Sequence, residues 1–241
     1  MELLYILALL MPAAAALLLA LRPGYWRWLS VGTASLEAAL CLGAALLPKT
    51  RLHLFFAMGL DFALLPDGMG LFFACLFALL TLLALVFNLE YMAHGERPGE
   101  LCLWFLLTLG SLVGMCLSAN LQTYYMFFEC VTLCSFPLVL HNRQQAARSA
   151  AVKYLCYSLL GAAMVLFGLF LAPRFLGGLD FVSGGSLNSS AVSAAPGLAT
   201  ASCALLIFGF GAKAGLMPLH DWLPTAKAQY FHFHSPAGDA A

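Results

Sequence analysis

The chain has 241 residues, 63% hydrophobic and only 9% charged, where a soluble domain carries roughly 25% charged residues. Eleven Lys and Arg balance eleven Asp and Glu, which leaves no basic surface for nucleic acid. So much apolar surface excludes a soluble domain and specifies an integral membrane protein whose solvent is the lipid bilayer.

About 18 to 25 apolar residues cross a bilayer as a helix. Seven such runs predict helices over about 3–21, 29–48, 68–89, 101–119, 121–141, 149–171 and 198–223. The fold class is therefore all-α integral membrane, and no β-type alternation competes with it. The first run is no signal peptide, because it opens on Glu2 without a positive charge and is too long. Arg22-Pro23-Gly24 separates it from the second run, where Tyr25, Trp26 and Trp28 suit an interfacial aromatic belt. Pro48-Lys49 ends the second run, and His94-Gly95-Glu96-Arg97-Pro98-Gly99-Glu100 divides the third from the fourth. Only Asn120 lies between the fourth and fifth, which predicts a tight antiparallel helical hairpin. Residues 173–197, rich in Gly, Ser and Ala, read as an exposed loop. Gly110, Gly114, Gly161 and Gly168 fall inside runs, as expected where helices approach closely in lipid. Residues 1–226 form the transmembrane domain, and 227–241 a polar tail too short to span.

Arg22, Arg27, Arg97, Arg143, Arg148 and Lys227 fall on one side of this topology, and Lys49, Arg51 and Arg174 on the other. The positive-inside rule then places the N-terminus outside and the C-terminus in the cytoplasm, for a protein of the bacterial inner membrane. The eight cysteines lie in apolar runs without a CxxC pair. That speaks against a disulfide framework and against zinc, and marks them as small packing residues, Cys130 and Cys134 included. His232 and His234 in the tail are too few for a metal site.

Ionisable residues inside the runs cost something like 2.5 to 3.5 kcal/mol each and ask for a reason. Glu129 stands eight residues into its helix, about 12 Å deep. Burial and a nearby ammonium would act on such a carboxyl in opposite senses, leaving it able to exchange protons. Lys213 lies in Gly209-Phe210-Gly211-Ala212-Lys213-Ala214-Gly215 with Pro218 to follow, a weak helix of the kind that breaks at membrane depth beside a polar cavity. It lies about 22 Å along its run, so a kink or a later helix start is needed to bring it level with Glu129. Lys153 is placed to snorkel from the start of the sixth helix. His220 fits either a proton relay or a tie for the end of a broken helix. Glu37 reads as a bundle-facing carboxyl hydrogen-bonded to a neighbour.

The segment Gly209 to Ala226, GFGAKAGLMPLHDWLPTA, resembles the seventh-helix signature of the antiporter-like subunits of respiratory complex I, membrane-bound hydrogenases and multisubunit cation/proton antiporters. The stretch Tyr124 to Leu140, Ala150-Ala151-Val152-Lys153-Tyr154-Leu155 and Pro66-Asp67-Gly68 are similar to the same family. The resemblance implies that Glu129 and Lys213 form an intramembrane ion pair and that Lys153 modulates it. It implies a proton-translocating membrane subunit of a redox-driven complex such as NADH:quinone oxidoreductase or a membrane-bound hydrogenase, with other membrane subunits as partners. No haem, iron–sulfur or flavin motif is present, and no cofactor is expected. The family has fourteen helices in two inverted repeats; this chain matches the first half, with an input half-channel at most. A sodium/proton antiporter subunit and a truncated, non-transporting membrane anchor are the alternatives.

Overall fold

A backbone in hydrocarbon must satisfy its own polar groups, and a helix does so within one segment. The computed structural model describes residues 2–57, 60–91, 97–141 and 145–223. Its helices are α1 (Glu2–Leu21), α2 (Trp26–Leu46), α3 (Gly68–Tyr91), α4 (Pro98–Cys116), α5 (Leu121–Leu140), α6 (Gln145–Leu171), the short α7 (Ser189–Ala194) and α8 (Pro196–Ala214). All but α7 are long and apolar enough to cross a membrane, seven in the described residues. The first six lie within about one turn of their predicted bounds. The last does not: the helix expected over 198–223 ends at Ala214. Large apolar side chains such as Leu3, Phe72, Phe87, Phe167 and Phe170 are exposed, as lipid-facing positions require. The tail 227–241, with His232 and His234, lies outside the described residues.

The chain forms two compact units. The first comprises Met1–Ser135 with Leu179–Ser183. Its core runs through α1 to α4, where Tyr5, Leu19, Ala34, Leu85, Leu106, Leu109 and Val113 are buried. Gly110 lies against Pro12 and Gly99 against Pro23, so α1 and α4 run antiparallel at close range. Ser111 of α4 donates to Cys134 Sγ of α5 at 3.8 Å, and Gly114 lies against Phe127. Rising residue numbers on one helix meet falling numbers on the other, which is the expected antiparallel hairpin.

The unit also holds an antiparallel hairpin that the sequence reading did not foresee: β1 (Leu52–Ala57) and β2 (Leu60–Leu64). The chain leaving β2 pairs with the α4–α5 turn, Leu65 N–H donating to Leu117 O and Ala119 N–H to Ala63 O, both at 2.9 Å. That turn is held from its other side by residues 179–181: Phe181 N–H donates to Ala119 O at 3.0 Å and Leu121 N–H to Leu179 O at 2.9 Å. Asn120 fixes the junction. Its Nδ2 donates to Asp61 O at 2.6 Å, and its Oδ1 accepts from Thr123 N–H at 2.8 Å. Asn120 thus N-caps α5 while gripping β2. Arg51 bridges Asp61 at 3.0 Å and Asp180 at 2.9 Å, and His53 meets Asp61 at 3.0 Å. The hydrogen bond from His53, with help from Arg51, holds the Asp61 carboxyl below the usual carboxylate range.

The second unit comprises Phe136–Gly178 and Gly184–Ala241. Here α6 and α8 pack antiparallel at a contact only glycine allows. A Cβ on Gly161 would lie 2.8 Å from Gly209 O, and one on Gly209 would lie 2.7 Å from Gly161 O. Ser202 of α8 donates to Gly168 O at 3.2 Å. The connection at 173–197 is largely exposed, as expected, but is not a free loop. Gly177 N–H donates to Ser186 O at 2.7 Å and Asn188 N–H to Phe175 O at 2.8 Å. Asn188 then caps α7 by accepting from Ala191 N–H at 3.3 Å.

Candidate ion-translocation site

The end of α8 explains itself locally. Gly211, Ala212, Lys213 and Ala214 continue the helix, and Gly215 takes the left-handed conformation at φ 76°, which costs a glycine nothing. Leu216 N–H donates to Gly211 O at 2.8 Å and Gly215 N–H to Ala212 O at 3.3 Å, the paired bonds of a glycine-terminated helix. The break therefore falls after Lys213, and the helix starts at Pro196, before the predicted position. The later start that counting offered for Lys213 is therefore not found. Lys213 instead occupies the last helical turn, where the negative end of the helix dipole favours a cation. It is half-buried.

Past Gly215 the chain returns to the helix it has left. Trp222 is 7% exposed and donates its indole N–H to Ala212 O at 2.8 Å. Its ring packs on Tyr154 of α6, centroids 5.1 Å apart. Val139, Ala150 and Ala151 complete that small core. The same return brings Asp221 to Lys153, whose ammonium it pairs with. The hydrogen bond from Lys153 and its positive charge hold the Asp221 carboxyl below the usual carboxylate range. Lys153 is eight residues into α6, which begins at Gln145. That is about 12 Å along the helix from its start, and there Asp221 meets its charge. Asp221 was not among the expected site residues. The signal for it was present in Leu219-His220-Asp221-Trp222, but only the return of the chain assigns it to Lys153. His220 is exposed, and its backbone carbonyl accepts from Leu223 N–H at 3.0 Å.

Glu129 belongs to the first unit, on α5. It is half-buried, with Oε1 cut off from solvent. Phe127 and Phe128 before it are buried, and Tyr125 lies one turn back on the same helix. Glu37, read as hydrogen-bonded to a neighbour, has only a long contact of 3.9 Å from Cys41 Sγ to its Oε1. Among the described residues no group of three or more His, Cys, Asp or Glu could hold a metal ion.

Residues 118–230 match the family described as "NADH:quinone oxidoreductase/Mrp antiporter, TM", a segment containing Glu129, Lys153, Lys213 and His220. Hydrogenase-4 component B of Escherichia coli (strain K12) is 33% identical over 168 residues, 69% of this chain and 24% of that one. The Na(+)/H(+) antiporter subunit A1 of Staphylococcus saprophyticus is 28% identical over 169 residues, 70% of this chain and 21% of its own. The chain thus aligns with less than a quarter of the length of these relatives. Among solved structures, a chain of the membrane-bound sulfane sulfur reductase, an archaeal respiratory membrane complex, superposes with a TM-score of 0.75 at 19% identity, covering 94% of this chain and 47% of that one. A chain of respiratory complex I from Thermus thermophilus gives 0.70 at 21% identity, covering 91% and 46%. The resemblance read from the sequence holds: the fold is that of complex I-type antiporter-like membrane subunits.

Proposed function

We propose that this chain, an integral membrane protein related to the antiporter-like subunits, forms part of an ion-translocating subunit of a redox-driven energy-converting complex, with the proton as the ion. The observation that carries this reading is the end of α8 one residue past Lys213, at Ala214, inside the segment that matches the family. An interrupted helix with an ammonium in its last turn is what a membrane transporter uses to expose one charge to a polar path.

Glu129 and Lys213 are the ion-handling pair in this proposal. While they pair, the lysine keeps its proton; when a signal from partner subunits separates them, the lysine passes it on. Lys153 has a counter-ion of its own in Asp221 and acts as a modulator at a fixed position. His220, exposed beside that pair, takes the proton at the mouth. In the membrane of a bacterial cell, Arg22, Arg27 and Arg97 mark the cytoplasmic side and the N-terminus lies outside.

The test uses the intact complex in sealed vesicles. Glu129→Gln and Lys213→Ala are each expected to abolish coupled proton pumping while leaving assembly intact. Undiminished pumping in both variants overturns the proposal and leaves a non-transporting anchor. The named activity of the 28% identical relative favours one second reading, sodium/proton exchange. Pumping that requires sodium, and is lost in the same two variants, selects it.

A further inference from the structure

Glu37 is fully buried, at 0% exposure, in the middle of α2, and the translocation scheme above makes no use of it. Its Oε1 meets only the Cys41 thiol one turn on, at 3.9 Å, and a thiol is a weak donor. Its Oε2 is cut off from solvent and has no hydrogen-bond partner among the described residues.

Nothing in the surrounding helices offers a counter-ion. No Lys or Arg occurs in α1, α3, α4 or α5, and the sole basic residue of α2 is Arg27. Ten residues of helix, about 15 Å, separate Arg27 from Glu37. Lys49, past the other end of α2, has its Nζ 3.6 Å from where a Gly68 Cβ would be, at the first residue of α3. The buried titratable side chains of the packed helices are Tyr5 of α1 and Cys102 of α4, joined by the half-buried Cys75 of α3 and Cys116 of α4. Glu90 and Glu100 stand at the opposite end of the bundle, in the last turn of α3 and the first of α4. A carboxylate placed here would be a buried charge with no ion and one thiol to meet it. The carboxylic acid is the form such surroundings accept.

Polar groups lead away from it in one direction. Cys41 belongs to a packed core that Cys75 and Cys116 lie against, and Cys116 and Asp67 meet at Gly70, where an added Cβ would touch both Cys116 O and Asp67 Oδ1. Cys116 and Asp67 both line a cavity of about 440 Å³ that Ser118 and Tyr124 also border.

We infer that Glu37 is a protonation site separate from Glu129 and Lys213, held as a neutral carboxylic acid within the α1–α4 bundle and exchanging its proton with the cavity beside Asp67 along the line of Cys41 and Cys116.

Infrared difference spectroscopy on the full-length protein in lipid tests this. Wild type minus Glu37→Gln is expected to show one carboxylic-acid C=O band that shifts down in D₂O. Cys41→Ser, a stronger donor of similar size, is expected to move that band without removing it, and it assigns the band should Glu37→Gln fail to fold. Met69→Trp, which crowds the cavity from an exposed lining position, is expected to slow the D₂O shift several-fold. A carboxylate signal in place of the acid band shows Glu37 ionised and overturns the inference. An unchanged rate of the D₂O shift in Met69→Trp overturns the path through the cavity. Neither result depends on pumping, so the fate of the Glu129–Lys213 proposal is read separately.

Discussion

Trp222 donates its indole N–H to the carbonyl oxygen of Ala212 at 2.8 Å, beside Lys213 in sequence. The last four carbonyls of any helix lack intrahelical partners, and one of them is met here by a side chain that returns from beyond the break. Trp222→Phe keeps most of the ring contact with Tyr154 and removes the donor. The expected cost is about 0.5–1.5 kcal/mol, that of one hydrogen bond lost from an acceptor that keeps its bond from Gly215 N–H. Hydrogen exchange at Gly215 and Leu216 should quicken, with the α6 amides unaffected.

The α6–α8 contact should tolerate no added methyl group. Gly161→Ala would set a Cβ 2.8 Å from Gly209 O and 2.9 Å from Ala212 Cβ, and backbone cannot give way as a flexible side chain does. Overpacking of this kind costs about 1–3 kcal/mol. Gly197→Ala is the control, because nothing lies within 4 Å of its added Cβ. A drop in thermal unfolding temperature for the first and none for the second is the expected result.

Asn120→Ala should uncouple the α4–α5 turn from the hairpin. It strands the Thr123 N–H and the Asp61 carbonyl together, where Asn120 now bonds both. A lost cap and a buried unsatisfied donor each lie in the range of about 1–2 kcal/mol. Limited proteolysis within 47–67 is expected to accelerate relative to wild type.

The Asp61 cluster predicts an acid dependence with a definite sign. The carboxyl is held below its unfolded value, chiefly by the His53 hydrogen bond and also by Arg51, so it stabilises the folded state above the unfolded value of about 3.9. That contribution is lost as pH falls below about 4 toward the lowered folded value. Protection of the Ala119 amide should fall between pH 6 and pH 3 by more in wild type than in Asp61→Asn, once intrinsic exchange is divided out. Equal losses in the two proteins would remove Asp61 from the explanation.

The β1–β2 hairpin escaped the sequence reading for a physical reason. Leu52-His53-Leu54-Phe55-Phe56-Ala57 is apolar at almost every position, so the alternation that marks a strand is masked. Its second strand is held by Leu117, Ala119 and Asn120, which belong to the α4–α5 turn. Lys153 was legible as a charge on a spanning helix, but its counter-ion was not, because Asp221 reaches it only after the chain has turned back at Gly215.

The seven spans, the α4–α5 hairpin and the charged residues Glu129, Lys153 and Lys213 were determined by the sequence alone. In hydrocarbon the backbone must bond to itself within each segment, so apolar length writes helices directly, and an embedded charge stands out against them. Tertiary structure decided which carboxylate meets Lys153 and how the β1–β2 hairpin is tied to the α4–α5 turn. These outcomes rest on groups brought together from separate parts of the chain, and no local pattern of residues encodes such a meeting.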